Sequence, residues 1–423
     1  MKRICGSIVP FMGAAALSLV VIVLPAGVAR AEAPPASSIK VTWPDIERLV
    51  DDHPLTTAAR LKAAAARGTV DAAGAVPNPS LEASTTLGQA RDADRQQVEW
   101  ELALDIPLGW LAQRSSKIAA AEAEVDVAVS EAKVLRRDVL LQLGVLFWNL
   151  AYEQDRAGAL GELARQTGEL LWAVRSRVEK GEARPVEKTR VQVEAEKLAA
   201  ELEAARTAFV SRQRRLALWL GVQRGQTVIV EADLTKIPAA PDLEAVRAKV
   251  RATHPALDAA RARVRTLAAE LDAERLARVP AISVRPFTAH ELDKRAYGVG
   301  LAIGLPVWNW NSGRIAQAEG LLAAGQSQLE AGRLEVESQV IEAQAACQSS
   351  AQLASRYKDP ILPGAESAAA TVEKTYQLGE ASLLEVIDAR RTLLDTRRQY
   401  LTTLVQAQLD CLRLRTAVGE DLP

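Results

Sequence analysis

Hydrophobic positions along this chain follow two rhythms, and each rhythm occurs twice. From Val98 the chain alternates: Val98, Trp100, Leu102, Leu104 and Ile106 share one face, and Glu99, Glu101, Ala103 and Asp105 the other. A second alternation sets Tyr297, Val299, Leu301, Ile303 and Leu305 against Gly298, Gly300, Ala302 and Gly304. A period of two held this long predicts a strand with one apolar face, about the length that crosses a bilayer when tilted. Shorter runs near Leu81–Leu87 and Ile282–Phe287 predict a strand before each, making four in total. The second rhythm is helical. Val191, Ala195, Leu198, Leu202, Ala205, Phe209, Leu216 and Trp219 keep a heptad seam, interrupted once by Arg212. Ala389, Leu393, Tyr400, Leu404, Ala407, Cys411 and Leu414 repeat it.

These recurrences belong to an internal duplication. His53-Pro54 returns as His254-Pro255 and Pro79 as Pro280, both 201 residues on. Pro107 returns as Pro306 at 199, and Gly181-Glu182-Ala183 as Gly379-Glu380-Ala381 at 198. The predicted organisation is a leader at 1–31, a first repeat at 32–221, a join at 222–243 and a second repeat at 244–423. Each repeat opens with a helix of about thirty residues, with Pro54 or Pro255 tolerated in its first turn. Two strands come next, then a very long helix turning at Gly181 or Gly379, then a returning helix. Between Gln113 and Val178 no proline intervenes, so that helix runs about 100 Å. Pro360 and Pro363 predict a kink or break in its counterpart.

Four strands cannot close a membrane barrel, and an open edge in hydrocarbon leaves backbone groups unpaired at several kcal/mol each. Strands must therefore come from further copies. Three copies give twelve strands and leave a lumen, and the small residues opposite Tyr297–Leu305 suit an inner wall. Trp110, Trp308 and Trp310 follow the strand-ending prolines, where an interfacial aromatic belt would lie. The expected fold is mainly α with a small β part: long antiparallel coiled-coil helices forming a tunnel, and four strands per chain contributing to a trimeric 12-strand barrel.

Composition narrows the function. Lys2, Arg3, the apolar run Ile8–Val28 and the small-x-small pattern Ala29-Arg30-Ala31 predict a cleaved export signal. Net charge is −1, which gives no electrostatic footprint for nucleic acid. Only 4% of residues are aromatic while Ala, Leu, Glu and Arg abound, the mixture of long helices packed through narrow seams. His53 and His254 are expected simply to open helices, since no second ligand lies near either. Neither a nucleophile motif nor a phosphate loop appears, so no catalytic, cofactor or metal site is expected. Outside the leader only Cys347 and Cys411 remain, 32 residues either side of Gly379. Packed helices lie about 8–10 Å apart and disulfides need Cα atoms about 4.4–6.8 Å apart. Two buried free thiols are therefore expected ahead of a disulfide staple or a thiol metal site.

With the duplication, the Ile106-Pro107 and Leu305-Pro306 strand ends, Tyr376-x-x-Gly379 and Leu384-Glu385-Val386-Ile387-Asp388-Ala389, the chain resembles the TolC-like outer-membrane efflux proteins, within them the CzcC-like heavy-metal branch. The resemblance covers essentially the whole chain after the leader. It implies a homotrimer in outer-membrane lipid with a periplasmic tunnel, passively passing substrate from an inner-membrane RND-type pump and a periplasmic adaptor. Heavy-metal cations are the leading substrate, and drugs or other small molecules the alternative. The resemblance also implies a periplasmic gate: Glu385 and Asp388 at the constriction, and Tyr376 bonded to Glu187. An arginine that the family can place two residues after the turn glycine is replaced by Ala381. Of two rivals, a periplasmic coiled-coil adaptor predicts one hairpin flanked by soluble β segments where this chain has two hairpins and membrane-type strands, and a secreted coiled coil without a barrel is contradicted by the nine-residue alternations.

Overall fold

The computed structural model describes residues 38–89, 96–223, 226–291 and 294–419. The expected leader at 1–31 lies outside them. The order is β1 (Ser38–Val41), α1 (Trp43–Asp52), α2 (Pro54–Gly74), β2 (Ser80–Gln89), β3 (Gln96–Pro107), α3 (Arg114–Glu179) and α4 (Pro185–Trp219). The second half adds β4 (Thr227–Val230), α5 (Leu243–Thr253), α6 (Pro255–Leu276), β5 (Ala281–Glu291), β6 (Lys294–Gly304), α7 (Ser312–Arg356), α8 (Leu362–Gln377) and α9 (Leu383–Val418). No helix among the described residues is long and apolar enough to cross a membrane.

Two elements depart from the sequence reading. Each opening helix is two helices, broken at the residue before the proline. His53 and His254 are extended (ψ 138° and 120°) and each ends one helix and caps the next. The proline ring disfavours helical backbone at the preceding residue, so the short helices α1 and α5 separate. Thr42 and Asp242 start those helices: Asp45 accepts from the Thr42 N–H at 2.9 Å, and Asp242 from the Ala245 N–H at 3.1 Å.

The second departure is a pair of strands beyond the expected four. Strands β1 and β4 pair in parallel, from Ser38 against Thr227 to Val41 against Val230. Four residues are too few for an alternation to register, which is why they were not legible. This small sheet sits on the largest core, where Ile46, Val50, Leu143, Phe147, Leu150, Leu216, Val228 and Leu404 are buried together. The core lies midway along the long helices and holds both repeats.

The other four strands form one antiparallel sheet in the order β2-β3-β5-β6. The β3–β5 ladder is interrupted opposite Pro286, which has no N–H to donate.

From the sheet α3 runs 66 residues without a break, about 100 Å. Its counterpart is interrupted at Tyr357–Ile361, where Asp359 leaves helical geometry just before Pro360. Both tips turn through a glycine with positive φ, 78° at Gly181 and 80° at Gly379. The Glu182 N–H reaches back to the Arg177 carbonyl at 2.8 Å and the Glu380 N–H to that of Thr375 at 3.0 Å. This closure requires a left-handed residue that glycine adopts at no steric cost.

The cysteines correct the expectation of free thiols. Cys347 on α7 and Cys411 on α9 form a disulfide, with Cα atoms 4.6 Å apart. The usual interhelical distance does not apply, because Ala343, Ala346, Ser350 and Ala351 surround Cys347 and allow the backbones to approach.

Candidate functional site: the sheet wall and the helical tip

The sheet has two chemically distinct faces. On one, Leu81, Leu87, Val98, Trp100, Leu102, Tyr297, Val299, Leu301, Ile303 and Leu305 all stand exposed. A band this broad is far larger than the scattered apolar residues of a soluble surface. The opposite face carries Glu82, Glu101, Asp105, Ser283 and Arg285. Arg285 reaches Glu82 at 3.0 Å and Glu101 at 3.1 Å, tying three strands together, and the Ser283 hydroxyl donates to Asp105 at 2.8 Å. Glu82 and Arg285 escaped the sequence reading because a lone charge in a short strand looks like any solvated position. Pairing across the hairpin would have shown that they share a face.

Gly298, read as part of an inner wall, has a local reason to be small. A Cβ there would come within 3.0 Å of the Phe287 ring. The three tryptophans follow the strands at the helical end of the sheet. Trp110 lies in a single 3-10 turn (Gly109–Ala112) with the Arg114 guanidinium 5.8 Å from its ring, while Trp308 and Trp310 are exposed.

At the other end, Val174, Val191, Leu383 and Ile387 pack the two hairpins together. This leaves Glu385 and Asp388 exposed on the opposite side of α9, sharing a face as their spacing requires. Glu385 also serves the helix itself. Its carboxylate accepts from the Ser382 N–H at 2.6 Å and the Ser382 hydroxyl at 3.0 Å, while the Ser382 hydroxyl accepts from the Glu385 N–H at 3.3 Å. These bonds hold the Glu385 carboxyl below its usual pKa. Ser382-x-x-Glu385 is a capping box, a signal in the sequence that the gate reading passed over.

Within the chain the structure does not bring Tyr376 and Glu187 together. The Tyr376 hydroxyl accepts from Arg177 at 3.2 Å, with the guanidinium 5.7 Å from its ring, and Glu187 takes Arg184 at 3.2 Å. The ties between hairpins are made by arginines the sequence reading did not single out. Arg391 forks onto Glu194 of α4, and Arg390 pairs with Glu373 and also donates to the Gln166 carbonyl of α3. Among the described residues no group of three His, Cys, Asp or Glu is placed to hold a metal ion.

This architecture is shared. The family model for outer membrane efflux proteins matches residues 46–222 and 246–420, one match per repeat. The chain belongs to the outer membrane efflux protein family. A relative of this efflux protein is the cobalt-zinc-cadmium resistance protein CzcC of Cupriavidus metallidurans, 26% identical over 334 residues, 78% of each chain. Among solved structures, CusC superposes with a TM-score of 0.74 at 18% identity, covering 90% of this chain and 92% of that one. VceC of Vibrio cholerae gives 0.72 at 17% identity, covering 89% and 96%. The open state of MtrE of Neisseria gonorrhoeae gives 0.73 at 16% identity, covering 89% of each. At these identities the structures share the fold: a helical tunnel with a small sheet at one end.

Proposed function

We propose that three copies of this chain form a passive duct across the outer membrane, with the long helices as a periplasmic tunnel. One observation carries the reading: an antiparallel sheet whose outer strands β2 and β6 each leave one edge unpaired among the described residues and whose one face is largely apolar. Such a sheet is stable in lipid only when its edges are closed, and three times four strands encloses a lumen. The apolar face then meets hydrocarbon, the Glu82–Arg285–Glu101 face lines the channel, and Trp110, Trp308 and Trp310 lie at the periplasmic interface.

At the far end the tips turning at Gly181 and Gly379 form the gate. Glu385 and Asp388 from three copies give a ring of six carboxylates. Tyr376 is held by Arg177, and Glu187 by Arg184. The duct would receive substrate from a periplasmic adaptor and an inner-membrane RND-type pump. Heavy-metal cations are the proposed cargo. The reading is supported by similarity to a cobalt-zinc-cadmium resistance protein and by the acidic residues along the path.

The test is complementation. In a host lacking its own duct but retaining the matching pump and adaptor, this chain should restore growth on cobalt, zinc or cadmium. Restored tolerance to drugs without metals would overturn the cargo. The protein should fractionate with the outer membrane and migrate differently on gels before and after heating.

A further inference from the structure

The same short pattern stands at both places where the sheet hands the chain to a long helix. Trp110-x-x-x-Arg114 follows β3 and Trp310-x-x-x-Arg314 follows β6, the second pair 200 residues after the first. The fold brings the two junctions to the same end of the sheet. The Leu108 N–H donates to the Ile282 carbonyl at 2.7 Å, docking the first junction on the start of β5. Arg278, three residues before that strand, donates from Nε to the Trp310 carbonyl at 3.1 Å and ties in the second.

Arg114 is anchored in the same manner. Its Nε donates to the Gly74 carbonyl at 3.2 Å, and its guanidinium lies 5.8 Å from the centre of the Trp110 ring. In both arginines Nε is spent on the main chain, which fixes the side chain and leaves Nη1 and Nη2, a planar fork that matches the oxygens of a phosphate. Arg114, Arg278 and Arg314 are all exposed, and among the described residues none of them pairs with a carboxylate.

The local charge is unlike that of the rest of the chain. Overall, 52 basic residues balance 53 acidic ones. Residues 106–121 and 304–318 contain no Asp or Glu, so Arg114, Lys117 and Arg314 stand unopposed there beside Arg278. One turn further along α6 the balance returns, where Arg275 takes Glu319 at 3.0 Å and Asp272 at 3.6 Å. The unopposed charges are set among Leu108, Leu111, Val279, Val307, Trp308 and Trp310, all exposed, Trp308 by 95%. Tryptophan and long basic side chains mixed with bare apolar ones suit a boundary between hydrocarbon and charged headgroups. A headgroup with its own ammonium would need a carboxylate to receive it, and this band has none. A headgroup of net negative charge needs only the arginines.

We infer that the two Trp-x-x-x-Arg junctions bind the headgroup phosphates of anionic phospholipids in the periplasmic leaflet, with Arg114, Arg278 and Arg314 as donors and Lys117 adding charge. This rests on the outer-membrane reading above and adds which lipid the periplasmic end of the wall takes. Lipid bound there fastens the membrane to the point where the sheet passes into the long helices.

Lipid retention by the full-length trimer tests it. Trimers released from outer membranes are exchanged into detergent with equimolar phosphatidylglycerol and phosphatidylethanolamine, and native mass spectrometry counts the lipids kept. Phosphatidylglycerol should be retained several-fold over phosphatidylethanolamine. Arg114→Gln, Arg278→Gln and Arg314→Gln together should abolish that preference with trimers intact, whereas Arg333→Gln, on the exposed side of α7, should keep it. Equal retention of the two lipids by the unmodified trimer overturns the inference without any variant having to fold. A preference that survives the triple substitution overturns it as well. Displacement of phosphatidylglycerol by inorganic phosphate would assign the arginines to the free ion and likewise overturn the lipid. Each of these results leaves the duct standing, while a chain that does not fractionate with the outer membrane overturns the duct itself.

Discussion

Arg391 on α9 forks onto Glu194 on α4, joining the two hairpins of one chain near their tips as Nε and Nη2 of one guanidinium edge each donate to a carboxylate oxygen. The arginine holds the Glu194 carboxyl below its usual range. Because the pair is partly solvated, it is worth about 1 kcal/mol or less. A lowered carboxylate pKa stabilises the folded contact above the ordinary value near 4.3, and this support is lost as pH falls through the depressed pKa. Arg391→Ala should raise the open fraction or conductance in planar bilayers at neutral pH. An unchanged current would show that the hairpins are held elsewhere.

The Cys347–Cys411 bond closes a span of 64 residues between α7 and α9. Chain entropy puts its ceiling at about 4 kcal/mol for a loop of that size. Reduction, or Cys411→Ala, should lower the denaturation midpoint without changing the conductance of folded trimers. Alkylation under denaturing conditions without reductant should label neither cysteine; two labelled thiols in that sample would refute the staple.

Glu385 and Asp388 share an exposed face but differ in their other duties. Removing the Glu385 carboxylate breaks the capping box with Ser382 and loosens the start of α9. Asp388→Asn carries no such cost. Asp388→Asn alone should therefore reduce cation selectivity and divalent block in bilayer recordings while thermal stability holds. Unchanged selectivity in Asp388→Asn would mean that this face of α9 lies outside the path.

His254 is buried beside Arg137, with its Nε2 3.1 Å from the Ala417 carbonyl at the end of α9. Burial first, and the Arg137 charge second, lower its pKa to about 4. The unfolded chain takes up the proton near pH 6.5 and the folded chain only near 4. Stability is therefore full above about 6.5 and falls across that window, by up to about 3 kcal/mol at 1.36 kcal/mol per unit. His254→Gln should flatten this part of the pH profile of thermal unfolding. An identical slope in the variant would assign the acid sensitivity to other groups.

The sequence disclosed the features that repeat over many residues. The alternation ending at Leu104 and Ile106 gave away a strand, and the heptads through Leu198 and Leu404 the helices, because each buries or exposes a whole face. Features fixed by a few residues escaped. Ser38–Val41 and Thr227–Val230 are too short for a period, and Arg285 finds Glu82 and Glu101 only once the hairpins set the strand register. The Cys347–Cys411 approach depended on how closely two helices pack, which small residues permit but spacing alone does not determine. At the tip, the acidic positions were legible on their helix, whereas Arg177 and Arg391 acquire partners only when the two hairpins dock.

Four strands per chain close a barrel around a lumen only by threefold sharing. Native mass spectrometry of the full-length protein released from outer membranes into detergent tests it most directly. A single dominant assembly of three chains is expected. A stable monomer or dimer as the dominant species would contradict it.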